Sequence, residues 1–158
     1  MPRVIDRDRG WKAIKARMRR SPLAVAVGFV GPDVTQPHGD AGDDATIVEI
    51  ATIHEFGAPQ AGIPERAPIR TTMDLHHRSY RKALRVLAAK VAAGEISMVQ
   101  GLKLLGLRIE ADMHRAIQRG LPPPLKPRTI ERKGSSKPLI DKGQLDNSIG
   151  SDVRRVSP

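Results

Sequence analysis

The side chains able to do chemistry in this chain are few and scattered. There are five histidines, at positions 38, 54, 76, 77 and 114, and no cysteine. Without cysteine there is no disulfide, thiolate zinc site or sulfur nucleophile. His54-Glu55 has the start of a zincin helix, but position 58 is Ala where the second histidine would stand four residues on. His76 and His77 are adjacent, so a helix points them in different directions. Asp141-Lys142-Gly143 has the outline of an aspartic-protease triplet, yet Lys142 stands where that chemistry needs Thr or Ser. No Gly-x-Ser-x-Gly elbow, phosphate-binding Gly-x-x-x-x-Gly-Lys loop or Gly-x-Gly-x-x-Gly is present. The expectation is a protein that is not an enzyme, with no metal ion and no cofactor.

The composition leaves a different kind of partner open. Lys and Arg total 27 against 17 Asp and Glu, a formal charge of +10, which favours an anionic partner or serves solubility. Only four aromatics occur, Trp11, Phe29, Phe56 and Tyr80, too few and too dispersed for a base-stacking platform. Residues 1–20 are charged and lack a signal-peptide apolar core, and the longest apolar run, Leu23 to Val30, is too short to span a bilayer. The chain reads as soluble, non-membrane and suited to a reducing cytoplasm.

The elements that would position these residues form one domain over 1–158, with a basic N-terminal helix inside 1–20 and a Pro-rich basic arm over 121–137. In the helix, Arg9 to Arg20, Trp11, Ile14 and Met18 share one face. Its cations Lys12, Lys15, Arg19 and Arg20 are candidates for DNA or an acidic protein face, or simply for solvent. Leu23 to Val30 is a strand with both faces expected to be covered. Gly31 to Asp44 is a loop. Asp44 is placed to cap a helix over Ala45 to Phe56 that Gly57 ends, with strand as the alternative for this β-branched segment. Prolines 59, 64 and 68 hold the next stretch extended.

Two long helices follow. Thr71 with Asp74 predicts the start of one running to about Ala93, with Met73, Tyr80, Leu84, Leu87 and Val91 inward and His76 or His77 in the gap. Ser97 with Gln100 predicts the start of the second, to about Arg119, with Met98, Leu102, Leu105, Ile109, Met113 and Ala116 inward. Gly101 and Gly106 predict close packing against the neighbouring helix, and the short link predicts an antiparallel pair. Leu121 to Lys137 is expected to be an exposed arm without a core, offering Lys126, Arg128, Arg132 and Lys133 to DNA or an acidic partner. Pro138 to Ile149 is ordered again, with a short helix from Asp141, and Ser151 to Val156 is an edge strand. The fold class is α+β: a small, mostly antiparallel sheet covered by two long helices and a shorter one, with long exposed loops.

Three stretches carry a more specific pattern. They are Ala51-Thr-Ile-His-Glu-Phe-Gly57, Ile63-Pro-Glu-Arg-Ala-Pro-Ile-Arg70 and Ser136-Lys-Pro-Leu-Ile-Asp-Lys-Gly-Gln-Leu-Asp-Asn-Ser-Ile149. Their order and spacing resemble the tailed-phage virion-morphogenesis family, the neck and tail-completion proteins related to minor tail protein Z of lambda-like phages. Lys142 and Asp146 depart from the pattern. The resemblance implies a structural subunit of the head–tail junction, assembled in the host cytoplasm and placed in the virion. Its partners would be copies of itself in a ring, adjacent connector or head-closure proteins, tail-tube or terminator proteins, and viral DNA passing nearby. The candidate contact residues it marks are Glu55, Phe56, Gly57, Pro64, Arg66, Pro68, Arg70, Pro138, Leu139, Asp141, Gly143, Leu145, Ser148 and Ile149. For several a local role competes. Phe56 would be core, Gly57 a helix stop, and Glu55 a tether for backbone or arginine. Arg66 and Arg70 would share one side of an extended segment and pair with acids of a neighbour, or internally with Glu49, Glu55 or Glu65. The competing reading of the whole chain is a free basic nucleic-acid-binding protein.

Overall fold

The structure is a computed structural model describing residues 10–19, 22–30, 32–35, 45–134, 136, 138–139 and 143–156. Asp141, Arg20 and Asp44, and the side chains of Arg19, Arg132 and Lys133, lie outside what is described. In chain order the elements are α1 (Trp11–Arg19), β1 (Leu23–Phe29), α2 (Ile47–Phe56), α3 (Pro68–Ala93), α4 (Met98–Arg119), α5 (Pro127–Lys133), α6 (Gln144–Asn147) and β2 (Ile149–Arg155), with short 3-10 turns at Pro32–Thr35 and Pro59–Ala61. The fold is α+β, as the sequence predicts: a two-stranded antiparallel sheet packed under a long helix pair.

The α3–α4 pair is the frame. Ser97 accepts the N–H of Gln100 while the Gln100 side chain accepts the N–H of Ser97, so α4 starts at a reciprocal cap. Gly94 ends α3 in the left-handed region, and the four residues between the helices fold them back antiparallel. Close contacts run from Val91 and Leu87 over Gly101 at one end to Tyr80 and Asp112 further along. The Tyr80 hydroxyl donates to Asp112 Oδ2 at 2.9 Å, and Asp112 Oδ1 takes Arg115 at 2.8 Å.

The buried face of α3 is rotated from the expected stripe. Tyr80 and Val91 are buried and Leu87 packs against the core, but Met73 (41% exposed) and Leu84 (46%) lie out. Thr72 is buried and Ile69 and Ala83 are half-buried in their stead, and of the two histidines His76 takes the gap while His77 is exposed. The track Ile69, Thr72, His76, Tyr80, Ala83, Leu87, Val91 keeps helical spacing. It follows where α4 lies rather than which side chains are most apolar.

The sheet packs on α4. Val25, Val27, Phe29 and Ile149 join a core of Ile47, Ala51, Tyr80, Leu105, Ile109, Met113 and Ile117. No residue of β1 is exposed, but only Gly28 is fully buried, so the strand is partly rather than wholly covered; α4 supplies most of the packing against the sheet. Gly101 meets the neighbouring helix as expected, whereas Gly106 faces the sheet. A Cβ at Gly106 would collide with Ser151 Oγ and lie 2.8 Å from Ser151 Cβ and 3.0 Å from Val25 Cγ2.

Other expectations are corrected. Thr46 caps α2 reciprocally with Glu49, so the helix starts beyond Asp44. Phe56 is 70% exposed rather than core. The buried row of α2 is Ile47, Ala51 and Glu55, four residues apart, and Phe56 follows it by one position, a turn of about 100°. The helix α3 starts at Pro68, three residues before Thr71, and the preceding loop contains a 3-10 turn rather than running extended throughout. The arm from Leu121 is not free of the core. Leu121 is buried, and Pro127, with its φ already set for a helix, opens α5. The short helix expected from Asp141 starts at Gln144. Trp11, on the apolar face of α1, is exposed under the Lys15 ammonium, 5.2 Å from the ring centroid, while Ile14 is half-buried and α1 touches α3.

Two outcomes follow from the packing. Gly106→Ala overpacks the α4–sheet contact and costs roughly 1–3 kcal/mol in urea unfolding. Gly101→Ala, whose Cβ would meet only ordinary contacts at 3.5–3.8 Å, gains up to about 1 kcal/mol from helix propensity. Equal effects from the two changes would refute this packing.

Tyr80 is the sole tyrosine, so tyrosinate absorbance reports it alone. Burial first, and then the hydrogen bond to Asp112, push its phenol well above the ordinary value. With the folded value above the unfolded one, this group's contribution is complete below about pH 10 and falls away above it. Tyrosinate absorbance will therefore rise together with unfolding at alkaline pH, and Tyr80→Phe will flatten that part of the stability profile. A tyrosinate signal near pH 10 in folded protein contradicts it.

Candidate functional site

The three patterned stretches, far apart in sequence, meet around one cleft. It begins with Glu55 in the last turn of α2. Both carboxylate oxygens are used: Oε2 accepts the N–H of Ile69 at 2.9 Å and Oε1 that of Arg70 at 3.0 Å. A helix leaves its first amides without internal partners, and its N-terminus favours negative charge. Glu55 therefore caps α3 from another helix. Arg70 closes the arrangement by donating to Glu55 O at 2.8 Å and pairing with Glu65 at 2.8 Å.

The loop between these helices is held against α2. Ala58 and Ile63 exchange backbone hydrogen bonds of 2.8 and 3.0 Å, and His54 O accepts the N–H groups of Arg66 and Ala67. Gly57 permits this return. Its φ is 73°, and a Cβ there would lie 2.9 Å from Glu65 N. Ala67 takes a left-handed turn and Pro68 opens α3.

Arg66 is only 6% exposed, and burial lowers its pKa from the ordinary value. Its Nε donates to Pro123 O at 3.1 Å and its Nη1 approaches Pro64 O at 3.5 Å. The expected acid partner is Arg70's, not Arg66's. Arg66 lies before α3 and reaches across to the 121–126 segment, whereas Arg70 lies on the first turn of the helix beside Glu55 and Glu65. The two arginines do not share a side.

Around Arg66 lies a cleft of about 800 Å³. Ile50 and His54 of α2, Ile63 and Pro64 of the loop, Pro123 to Lys126, and Leu139, Gln144 and Leu145 wall it. All three stretches thus contribute. The walls are mainly aliphatic, with His54, Arg66, Lys126, Thr129 and Gln144 as the polar side chains, a surface suited to an apolar side chain or peptide. Among the described residues no group of three or more His, Asp or Glu could hold a metal ion.

Several marked residues serve the fold instead. Leu139, Leu145 and Ile149 are core, and Pro138 is buried near Gly120. Gly143 turns the chain into α6 with φ 77°, and Ser148 Oγ donates to Leu145 O. Asp146 binds His114 Nδ1 at 2.7 Å, tying α6 to α4.

The charged surface lies partly where the sequence reading missed it. Lys12, Lys15, Lys126 and Arg128 are exposed as expected. A denser group is Arg78, Arg81, Lys82 and Arg85 on α3, all exposed. Their spacing of three, four and seven residues from Arg78 puts them on one helical face, a signal present in the sequence. Lys82 and Arg108 flank a groove of about 560 Å³ between α3 and α4, floored by Ala83, Leu87 and Leu105. Val86 and Leu104 line that groove and are about half exposed.

No family model, curated protein or solved structure matches the chain. No helix among the described residues is long and apolar enough to cross a membrane.

Because Glu55 satisfies two amides of α3 at once, Glu55→Ala will cost about 2 kcal/mol or more in urea unfolding. Phe56→Ala, at its exposed neighbour, will stay within about 0.5 kcal/mol. A neutral Glu55→Ala would mean that α3 is held elsewhere.

Proposed function

We propose that the protein is a non-enzymatic structural subunit of the head–tail junction of a tailed phage or phage-like particle. It acts by assembling with copies of itself and docking to connector and tail proteins. The observation that carries this reading is the convergence of the three family-like stretches on one aliphatic cleft around Arg66. Residues spread over about a hundred positions form one local structure, so their pattern describes a common site rather than three unrelated coincidences. A cleft with aliphatic walls and a buried guanidinium is fitted to a protein segment.

The cationic face of α3 favours a second reading, a free nucleic-acid-binding protein. Arg78, Arg81, Lys82 and Arg85 would then neutralise phosphates. In the neck reading the same face meets the acidic surface of a partner or the DNA passing nearby.

Solution mass by light scattering at low and high salt, with and without duplex DNA, separates the two. A closed oligomer, or a monomer that assembles only with a connector or tail protein, is the expected result, in each case without tight binding of free duplex. A small species that binds duplex tightly at low salt, and loses it steeply as salt rises, overturns the neck reading.

A further inference from the structure

Arg66 is a buried cation without a counter-charge. It is 6% exposed, and the ion pairs among the described residues involve Arg70, Lys90, His114 and Arg115 but not Arg66. Its Nε donates to Pro123 O at 3.1 Å, its Nη1 reaches Pro64 O only at 3.5 Å, and its Nη2 donates to no group among the described residues. A guanidinium carries five N–H donors in a planar fork that matches a carboxylate two bonds at a time. Burying such a charge unpaired is costly, and a perturbed group in a cleft marks a site where something else completes the set. A second unmet need stands on another wall of the same cleft. Gln144 Oε1 is buried and has no hydrogen-bond partner among the described residues. Buried polar atoms are nearly always paired, yet here a cation short of an acceptor and an oxygen short of a donor line one cavity.

The remaining walls say what accompanies the anion. Leu139 and Leu145 are buried, and Ile50 and Ile63 are half-buried beside them, so the cleft offers an aliphatic lining next to the guanidinium. Gly62 and Pro64 on the loop, and Pro124 and Lys126 beyond α4, are exposed, so the rim lies open to a chain. Lys126 adds a second cation at that rim.

We infer that the cleft receives a segment of a partner protein carrying an aspartate or glutamate beside an aliphatic residue, with the carboxylate on the Arg66 guanidinium and the aliphatic side chain against Leu139 and Leu145. This rests on the reading of the protein as a docking subunit and gives the partner its chemistry. The complementarity is of three kinds: a carboxylate for the unpaired fork, a backbone N–H for Gln144 Oε1, and an apolar side chain for the lining. A fatty acid would bring the first and third but has no N–H for Gln144. A nucleic-acid phosphate also suits a guanidinium, but no Phe, Tyr or Trp lines the cleft to stack a base.

The test is selection of a random peptide library on the immobilised full chain. The most enriched peptide is then titrated against its twin, in which the acid is replaced by the matching amide. The enriched sequences will share one acidic position next to an aliphatic one, and the twin will bind roughly tenfold more weakly or worse. Arg66→Met will bind the two alike. It will also keep or raise the urea midpoint, since it removes an unpaired buried charge, whereas a purely structural arginine would lower it. Should Arg66→Met unfold, the Arg66 Nε–H resonance of the unaltered chain gives the same answer: it will shift with the acidic peptide and not with its twin. No enrichment, enrichment of aliphatic sequences without an acid, or an acid preference that survives Arg66→Met overturns the inference. So does octanoate binding as tightly as the peptide, or displacement of the peptide by duplex DNA. The docking-subunit reading is judged separately by the solution mass, so a selection without acids leaves it standing.

Discussion

The Glu55 carboxylate at the start of α3 holds the rest of the arrangement in place. A helix of 26 residues has a strong need for acceptors at its first turn, and the residues just before it, Arg66 and Ala67, have no side chain that meets it. Glu55 supplies both acceptors from the end of α2, which locks the axis of α2 to that of α3. The loop between them is then too short to wander. Its path fixes Gly57 against Glu65, brings the N–H groups of Arg66 and Ala67 onto His54 O, and turns the Arg66 guanidinium inward toward Pro123. The cleft is therefore a by-product of helix capping, and its geometry is as firm as that cap.

The second constraint acts at the other face of the frame. The sheet has two strands, and such a ribbon has little stability of its own in water. It persists here because α4 presents a surface without a side chain at Gly106, which lets Ser151 and Val25 come close. Ser148 and Leu145 lead the chain into β2 from the same segment that closes the cleft, and Asp146 pins that segment to His114 on α4. Cleft and sheet are thus two ends of one connection, and a load on one is felt by the other through a stretch of about ten residues.

What the sequence made legible was local. The reciprocal cap at Ser97, the glycine ends of α3 and α4, the antiparallel pairing of the long helices and the β-rich run at Leu23 all depend on neighbours a few positions apart. What it did not make legible was set at long range. Glu55 could be read as a tether, but not as the cap of a helix beginning thirteen residues on, so the start of α3 was sought at Thr71. Met73 and Leu84 fit an apolar stripe as well as Ala83 does, and only the position of α4 decides between them. Phe56 followed the usual preference of aromatics for the interior, whereas the buried row of α2 passes through Glu55. The prolines after Leu121 argued for an arm, yet Leu121 itself fills the core and Pro127 starts a helix. For the cleft, the contributing residues were visible in the three stretches, while their meeting around Arg66 was not.

These features bear on how so basic a chain can be a subunit of an assembly. A row of cations, Arg78, Arg81, Lys82 and Arg85, lies on the exposed face of α3, and Arg154 and Arg155 stand exposed on β2. The buried Arg66 is committed to backbone carbonyls, and Arg70 is neutralised within the domain by Glu55 and Glu65. The net charge of +10 is thus carried mainly by exposed side chains, where salt screens the repulsion that any association would have to overcome. The two arginines nearest the cleft add little to that repulsion, because one is buried against carbonyls and the other is paired with two carboxylates.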